Sequence, residues 1–446
     1  MTLSVTVEYG LQDWEIKCQK DGKADIVVGG SYIPSESPDS INKIWLRILE
    51  EDTGIQVTPW QTADKGENHT WSAMIQNVPA GGLYQLELIR SDSDSQWIEN
   101  GERGQTVSHF GVGDIYFIAG QSNAAGTGLG TGYDAPMLGV SNLRYLENWE
   151  LAVHPLKDRH SPFLAFAKKL YQNVHIPVGL CNFAVGGVPI SRWILSKQGD
   201  LFRQMTSVAA EKGLTPKAIL WYQGCSDTGN PDYEADFREF VEETRKAFRN
   251  DELPIYTFQL NSHLDSRKDI AQYSGKWDRI REIQRTAPYR FHDVYVIPTI
   301  DAQMSDGIHN RRADNIMLGE RLANYVLRYS YGKEYYPIAP ELSEVIADGK
   351  EITLTFKNIV SRLMTFHADG NDIPIGIEDE NGKNPIVSIA EDIDRLNLVC
   401  EREFQGDVFV SCQCGARNRS YIHDLGTSMP TCVFYKVKAQ KASKNG

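Results

Sequence analysis

Between residues 112 and about 330, short apolar runs alternate with amphipathic stretches, and this alternation constrains the fold more than any other feature of the 446-residue chain. "DIYFIAG", "PVGLCNFAVGG", "KAILWYQG", "LPIYTFQLN" and "DVYVIPTID" read as buried strands. They are followed in turn by the helical patterns "SPFLAFAKKLYQ", "LFRQMTSVAAEKG", "PDYEADFREFVEETRKAFRN", "KWDRIREIQRTA" and "RADNIMLGERLANYVLRY". Parallel strands need crossovers of helical length, so a chain with this rhythm forms an α/β domain around a parallel sheet. One helix shows its buried face directly: Phe237, Phe240, Val241, Thr244 and Phe248 recur at i, i+3, i+4 spacing behind the turn pair Pro231 and Asp232.

The flanks have another texture. Before residue 112, "LSVTVEY", "KADIVVGG", "KIWLRILEE" and "YQLELIRS" are strand-like runs split by turn residues, and beyond 335 "EITLTFKN", "RLMTFHA", "LNLVCERE", "DVFVSC" and "TCVFYKVKA" repeat the pattern. The expected organisation is a β-sandwich-like module over 1–111, a catalytic α/β domain over 112–334 and a β-rich module over 335–446. The stretch "SDSDSQW" reads as a polar turn and the Lys-rich tail "KAQKASKNG" as frayed chain. A formal charge of −13 opposes binding to polyanions, which argues against nucleic acid and anionic membranes as partners. No apolar run approaches a bilayer's width, so the chain should be soluble, and secreted or periplasmic if a leader was removed; compartment and oligomeric state stay open.

Ligands of open parallel sheets sit outside the carboxyl ends of the strands. Successive strand ends deliver Gln121, Ser122 and Asn123; Gly186 and Gly187; Gln223, Gly224 and Cys225; Asn261 and His263; and finally Asp306 and His309. A serine nucleophile needs a base, an orienter for that base and donors for the oxyanion, and each type is in this set. Ser122 follows a strand and opens a Gly-rich segment that leaves its backbone N–H free. Gly187 brings a backbone N–H close because it has no Cβ, and the Gln223 amide is a side-chain donor. Three residues separate Asp306 from His309, so a short turn places carboxylate beside Nδ1 and leaves Nε2 to face the serine.

Each piece alone has a blander reading. A serine after a strand is more often a helix cap, paired glycines are usually a turn, and "DGIH" is an ordinary loop. His263 is a rival base, but "HLDSRKD" reads as a solvated loop. "GTGLGTG" resembles a phosphate cradle, yet no Lys-Ser or Lys-Thr follows it. Seven scattered cysteines form no disulfide framework, and the pair Cys412 and Cys414 lacks neighbours at zinc spacing. The convergence of the strand ends is what favours catalysis.

"GQSN", "AVGGVPISRW", "WYQGCSD" and "DGIH", in that order, resemble the four blocks of the SGNH hydrolases, in their sialate O-acetylesterase and carbohydrate acetylesterase branch. "WSAMIQNVPAGGLYQLEL" and "IAPELSEVIADGKEITLTFKN" are similar to that branch's flanking β regions, so the resemblance covers most of the chain. It implies a flavodoxin-like three-layer α/β/α fold, with Ser122 as nucleophile, His309 as base and Asp306 as orienter. It also implies an oxyanion hole made of Ser122, Gly187 and Gln223. One departure stands out: where the branch reads Gln-Gly-Glu-Ser, this chain has Cys225, and Asp227 is the nearby carboxylate that could compensate.

The expected activity is therefore a serine esterase releasing acetyl groups from carbohydrate hydroxyls through an acetyl-enzyme, without metal or organic cofactor. Asn123, Arg192 and Trp193 stand as substrate contacts: Arg192 for the carboxylate of a sialylated sugar, with a surface salt bridge as its commoner fate, and Trp193 for stacking on a ring face, with a place in the core as the equal alternative. The rivals are an acetylxylan or other glycan acetylesterase, a catalytically impaired carbohydrate-binding protein, and a lipase or thioesterase acting on longer acyl chains.

Overall fold

The computed structural model describes residues 3–36, 40–91, 101–130, 134–154, 159–264, 270–366, 374–415 and 420–442. Most of the "SDSDSQW" turn, part of "GTGLGTG", residues 265–269 of the "HLDSRKD" loop and the last four residues of the tail lie outside the described residues.

Six parallel strands form the central sheet, in the spatial order Val140–Arg144, Val178–Asn182, Val107–Gly120, Pro216–Tyr222, Ile255–Phe258 and Val294–Ile297. Asn148–Leu151 adds an antiparallel edge. Side chains alternate across this sheet. Tyr116 and Ile118 face the helices Phe163–Val174 and Arg312–Ser330, whereas Ile115, Phe117 and Ala119 face Asp200–Lys212, Tyr233–Phe248 and Ile270–Thr286. The result is a flavodoxin-like three-layer α/β/α domain. Phe237, Phe240, Val241 and Thr244 are buried on the sheet side of their helix, as their spacing predicts. In chain order, the first and fourth of these six parallel strands, Val107–Gly120 and Pro216–Tyr222, are neighbours, and the connections leave them in opposite directions. That is the topological switch point at which such sheets open a crevice.

The hairpin of Val140–Arg144 and Asn148–Leu151 was not legible in the sequence. "VSNLR" is five residues long and half polar, too short for a periodic signal. The strand Val107–Gly120 also crosses the expected module boundary. Its first half pairs with Gly81–Ser91 and Ile16–Cys18 of the N-terminal region, and its second half with the central strands, so one twelve-stranded sheet joins both. A second sheet (Val5–Tyr9, Lys23–Tyr32, Thr70–Pro79, Asp64–Lys65) contributes to a separate core with Ile44, Leu46, Leu86 and Phe110.

After the helix Arg312–Ser330 come a five-stranded sheet, a four-stranded sheet and the ribbon Leu363–Phe366 with Tyr421–Asp424. They enclose their own core, which includes Ile352, Leu354, Val410 and Phe434. This region is fastened to the central domain by directional bonds. The Gln259 amide exchanges two hydrogen bonds of 2.8 Å with the Val433 backbone, and Gly415 N–H donates to Asp278 at 2.9 Å. Among the described residues, no helix is long and apolar enough to cross a membrane.

Candidate active site

Ser122 opens the single-turn helix Ser122–Ala125 at the end of the first central strand. The turn is sharp because Gly120 takes φ +130° and lies so close to the next strand that a β-carbon would come within 2.4 Å of Tyr222 O. Only glycine satisfies both conditions. The Ser122 side chain is nearly buried, and among the described residues neither its hydroxyl nor its N–H has a hydrogen-bond partner. Gly186 lies against it, with the site of an added β-carbon 3.9 Å from Ser122 Cβ. Gly187 is exposed at φ +73°, and its N–H is likewise without a partner among the described residues.

Across the crevice, Asp306 organises its own loop. Oδ1 accepts the N–H groups of Ile308 and His309 at 2.8 Å each, and Oδ2 lies 2.7 Å from His309 Nδ1. Burial acts to raise the Asp306 pKa, but the His309 side chain and the two backbone N–H groups outweigh it and hold the carboxyl below its usual range. An ionised acceptor at Nδ1 sets the imidazole tautomer with the Nε2 lone pair free. No hydrogen bond joins Ser122 Oγ to His309; such contacts are commonly long before substrate binds. What keeps the two residues on one rim is Asn123. Its Nδ2 donates to Ile308 O at 3.1 Å and its Oδ1 accepts Asn310 N–H at 3.2 Å, so the residue after the serine grips the backbone on both sides of His309.

The remaining strand ends are bonded into the same rim. Gln121 Oε1 accepts the N–H groups of Gly224 (3.1 Å) and Ser226 (3.3 Å), and the Ser226 hydroxyl donates to Gly187 O at 3.2 Å. Asn310 is sealed from solvent; its amide donates to Tyr222 Oη at 3.1 Å and accepts from Asn261 at 2.8 Å. Sequence reasoning missed the positioning roles of Gln121 and Asn310. The signal was their adjacency to Ser122 and His309, because neighbours on a turn point where the candidate side chain does not.

Three expectations, for Trp193, Arg192 and Gln223, are corrected by what the side chains touch. Trp193 is not on the crevice: it has no exposed surface and packs edge-on against Trp221 (5.5 Å) and Phe240 (6.1 Å). Arg192 is committed to Asp200, with Nε 3.0 and 3.1 Å from the two carboxylate oxygens and Nη2 also in contact. Asn123 uses one N–H and its Oδ1 on the His309 loop, so its part here is to position that loop, with one N–H of its amide left over. Gln223 is fully buried, and its Nε2 donates to Val188 O at 3.3 Å and to Asp227. Both of its N–H groups are therefore used, and it does not present a donor to the oxyanion.

Asp227 is the carboxylate beneath this flank. It is buried and also accepts Ile190 N–H at 2.8 Å, which ties the Gly187 loop to the strand end at 223. Burial pushes its pKa above the ordinary value, against the pull of Gln223, the Ile190 N–H and Asn230; nearby Asp236 adds to the rise. Burial also pushes the Cys225 thiol up to about 12, so it stays protonated at neutral pH and is a poor nucleophile. His263 packs on Trp277 with centroids 5.1 Å apart and planes at 32°, and it is His309 that holds the Asp306 carboxylate.

A parallel sheet with a serine after its switch-point strand and an Asp-x-x-His loop beyond its last strand has the fold of the SGNH hydrolases. Residues 112–328 match the family described as carbohydrate esterase, sialic acid-specific acetylesterase. The comparison with curated proteins found no match. Among solved structures, the chain is similar to XAC1771, a carbohydrate acetylesterase from Xanthomonas citri, at 19% identity and TM-score 0.67, over 98% of this chain and 99% of that one. The likeness extends through both flanking regions and concerns the fold. A protein from Arabidopsis thaliana aligns at 25% identity and TM-score 0.42, over 48% of this chain and 98% of its own.

Proposed function

We propose that the protein is a carbohydrate O-acetylesterase in which Ser122 is the nucleophile, His309 the base and Asp306 the orienter. The observation that carries this reading is the Asn123 clamp, which binds the His309 loop to the residue next to Ser122. Ser122 Oγ attacks the acetyl carbonyl carbon as its proton passes to His309 Nε2. The N–H groups of Ser122 and Gly187 receive the oxyanion. Collapse expels the sugar oxygen, which takes the proton from His309. Water then adds to the acetyl-enzyme with His309 as base again, and acetate leaves.

The site needs no metal for these steps, and its chemistry is that of the Ser-His-Asp set. The three-part organisation over 1–111, 112–334 and 335–446 belongs to the same reading, with the flanking modules framing the crevice. A sialylated substrate is a narrower form of the proposal, and Arg192 does not support it, because Asp200 already neutralises that guanidinium. The rival of a binding protein without turnover rested on Cys225 standing where a carboxylate is expected; buried Asp227 supplies a carboxylate two residues further on.

The test is acetate release from O-acetylated sialic acids, xylans and pectins, with Ser122→Ala in parallel. Release that depends on Ser122 is expected. Equal rates from both proteins would remove Ser122 from the mechanism, and glycan binding without release would favour the binding protein. Faster cleavage of longer acyl esters would make the enzyme a lipase or thioesterase.

A further inference from the structure

Beside the His309 loop, a cleft of about 270 Å³ opens between the central domain and the C-terminal β region. Its floor is Ile300 to Met304, the stretch immediately before Asp306, and its far wall is Phe366 and Tyr421. These two aromatics face each other across the Leu363–Phe366 and Tyr421–Asp424 ribbon, stacked with centroids 4.8 Å apart and planes at 22°. Phe366 remains 45% exposed. A strand-end phenylalanine held in a stack yet left half in water is not serving the core, and such apolar surface at a cleft marks a contact site.

The cleft is continuous with the catalytic rim. Met304 pairs with Asn310 across an antiparallel bridge, and the Asn261 amide reaches both Met304 Sδ (3.1 Å) and Asn310 (2.8 Å). Opposed residues on paired chains are about 5 Å apart, so the cleft begins one such step from the neighbour of His309. On its other side, Leu264 N–H donates to Gly307 O at 2.7 Å, inside the Asp-x-x-His loop itself. The charge is informative as well. Asp301 is the one ionisable acid or base among the lining residues apart from the Tyr421 phenol, and both of its oxygens are taken by Arg321 at 3.0 and 2.7 Å. An aromatic platform, the Gln303 amide and no unpaired charge suit the apolar face and hydroxyl rim of a neutral sugar ring.

We infer that this cleft is a subsite for an uncharged pyranose next to the acetylated sugar, so that the C-terminal region selects oligosaccharides over single sugars. The inference rests on the esterase reading above and deepens it. The test compares wild type with Phe366→Ala, Tyr421→Ala and Phe366→Trp on acetylated xylotetraose, O-acetylated N-acetylneuraminic acid and 4-nitrophenyl acetate. Phe366→Ala should lower kcat/KM on acetylated xylotetraose about tenfold through KM, the worth of one aromatic contact, and leave the other two substrates within about twofold. Tyr421→Ala should follow it, and Phe366→Trp should restore the wild-type value. Equal losses on all three substrates, or no loss on the oligosaccharide, would overturn the subsite while leaving the esterase intact. If wild type releases no acetate from any sugar, the esterase reading fails, and calorimetric titration with unacetylated xylotetraose decides the subsite separately. Binding that Phe366→Ala abolishes would sustain it, and no binding by wild type would end it.

Discussion

The two sides of the rim carry similar residue types and end in opposite states. On the side that faces the crevice, polar groups are left uncommitted: the Ser122 hydroxyl and N–H and the Gly187 N–H lack partners among the described residues, and His309 uses one ring nitrogen on Asp306. On the side behind the rim the candidate contacts are turned elsewhere, with the Gln223 N–H groups on Val188 and Asp227, Arg192 on Asp200 and Trp193 in the core. Reactivity needs groups aimed at a place where substrate will sit, and a site stays rigid only if the groups behind it are fully satisfied. Under the proposed mechanism, the first set performs the chemistry and the second holds it in place.

The sharpest way to break this division is Ser122→Ala or His309→Ala. Each should cost about 10⁴-fold or more in kcat for acetate release with an unchanged melting temperature; retention of a tenth of the rate would move the chemistry elsewhere. Trp193→Ala is the counterpart behind the rim. It should cost about 3–5 kcal/mol of unfolding free energy in denaturant titrations, with KM of the folded enzyme unchanged. A raised KM at wild-type stability would return Trp193 to the substrate. Asn123→Ala lies between the two sets in effect, with kcat down about 10²-fold as the His309 loop loses its clamp. Asp227→Ala should lose about 2 kcal/mol by stranding the Gln223 amide and the Ile190 N–H, together with a smaller loss of kcat.

The smallest effect is a pH dependence. Because the folded-state pKa of Asp227 is raised, the folded protein takes up this proton before the unfolded chain does as pH falls. Its contribution to stability therefore increases as pH drops through the folded value and levels off below the ordinary carboxylate value. Wild type should gain a degree or two in melting temperature relative to Asp227→Asn between pH 7 and pH 4.5. A gain in the opposite direction would mean that the carboxylate is stabilised where it sits.

Much of this was readable in the residues. The five strand-helix alternations, the buried stripe at Phe237, Phe240 and Val241, and the arrival of Ser122, Gly187, Asp306 and His309 at one edge follow from period and order alone. Trp193 and Arg192 misled because a strand end says which residues reach the rim, and not which way they turn. The short helix at Ile190–Trp193 sends the indole inward, and Asp200, eight residues on, claims the guanidinium. Gln121, Asn310 and the Phe366–Tyr421 wall gave no periodic signal, since each depends on a partner distant in the chain.

The sequence by itself determined the layers and the inventory of the rim, because strand and helix periods and the right-handed crossover are local properties of the chain. Which of those residues stayed open and which were consumed was decided only in three dimensions. A hydrogen bond is settled by its second partner, and for Gln223, Arg192 and Asn123 that partner was supplied by packing, not by spacing.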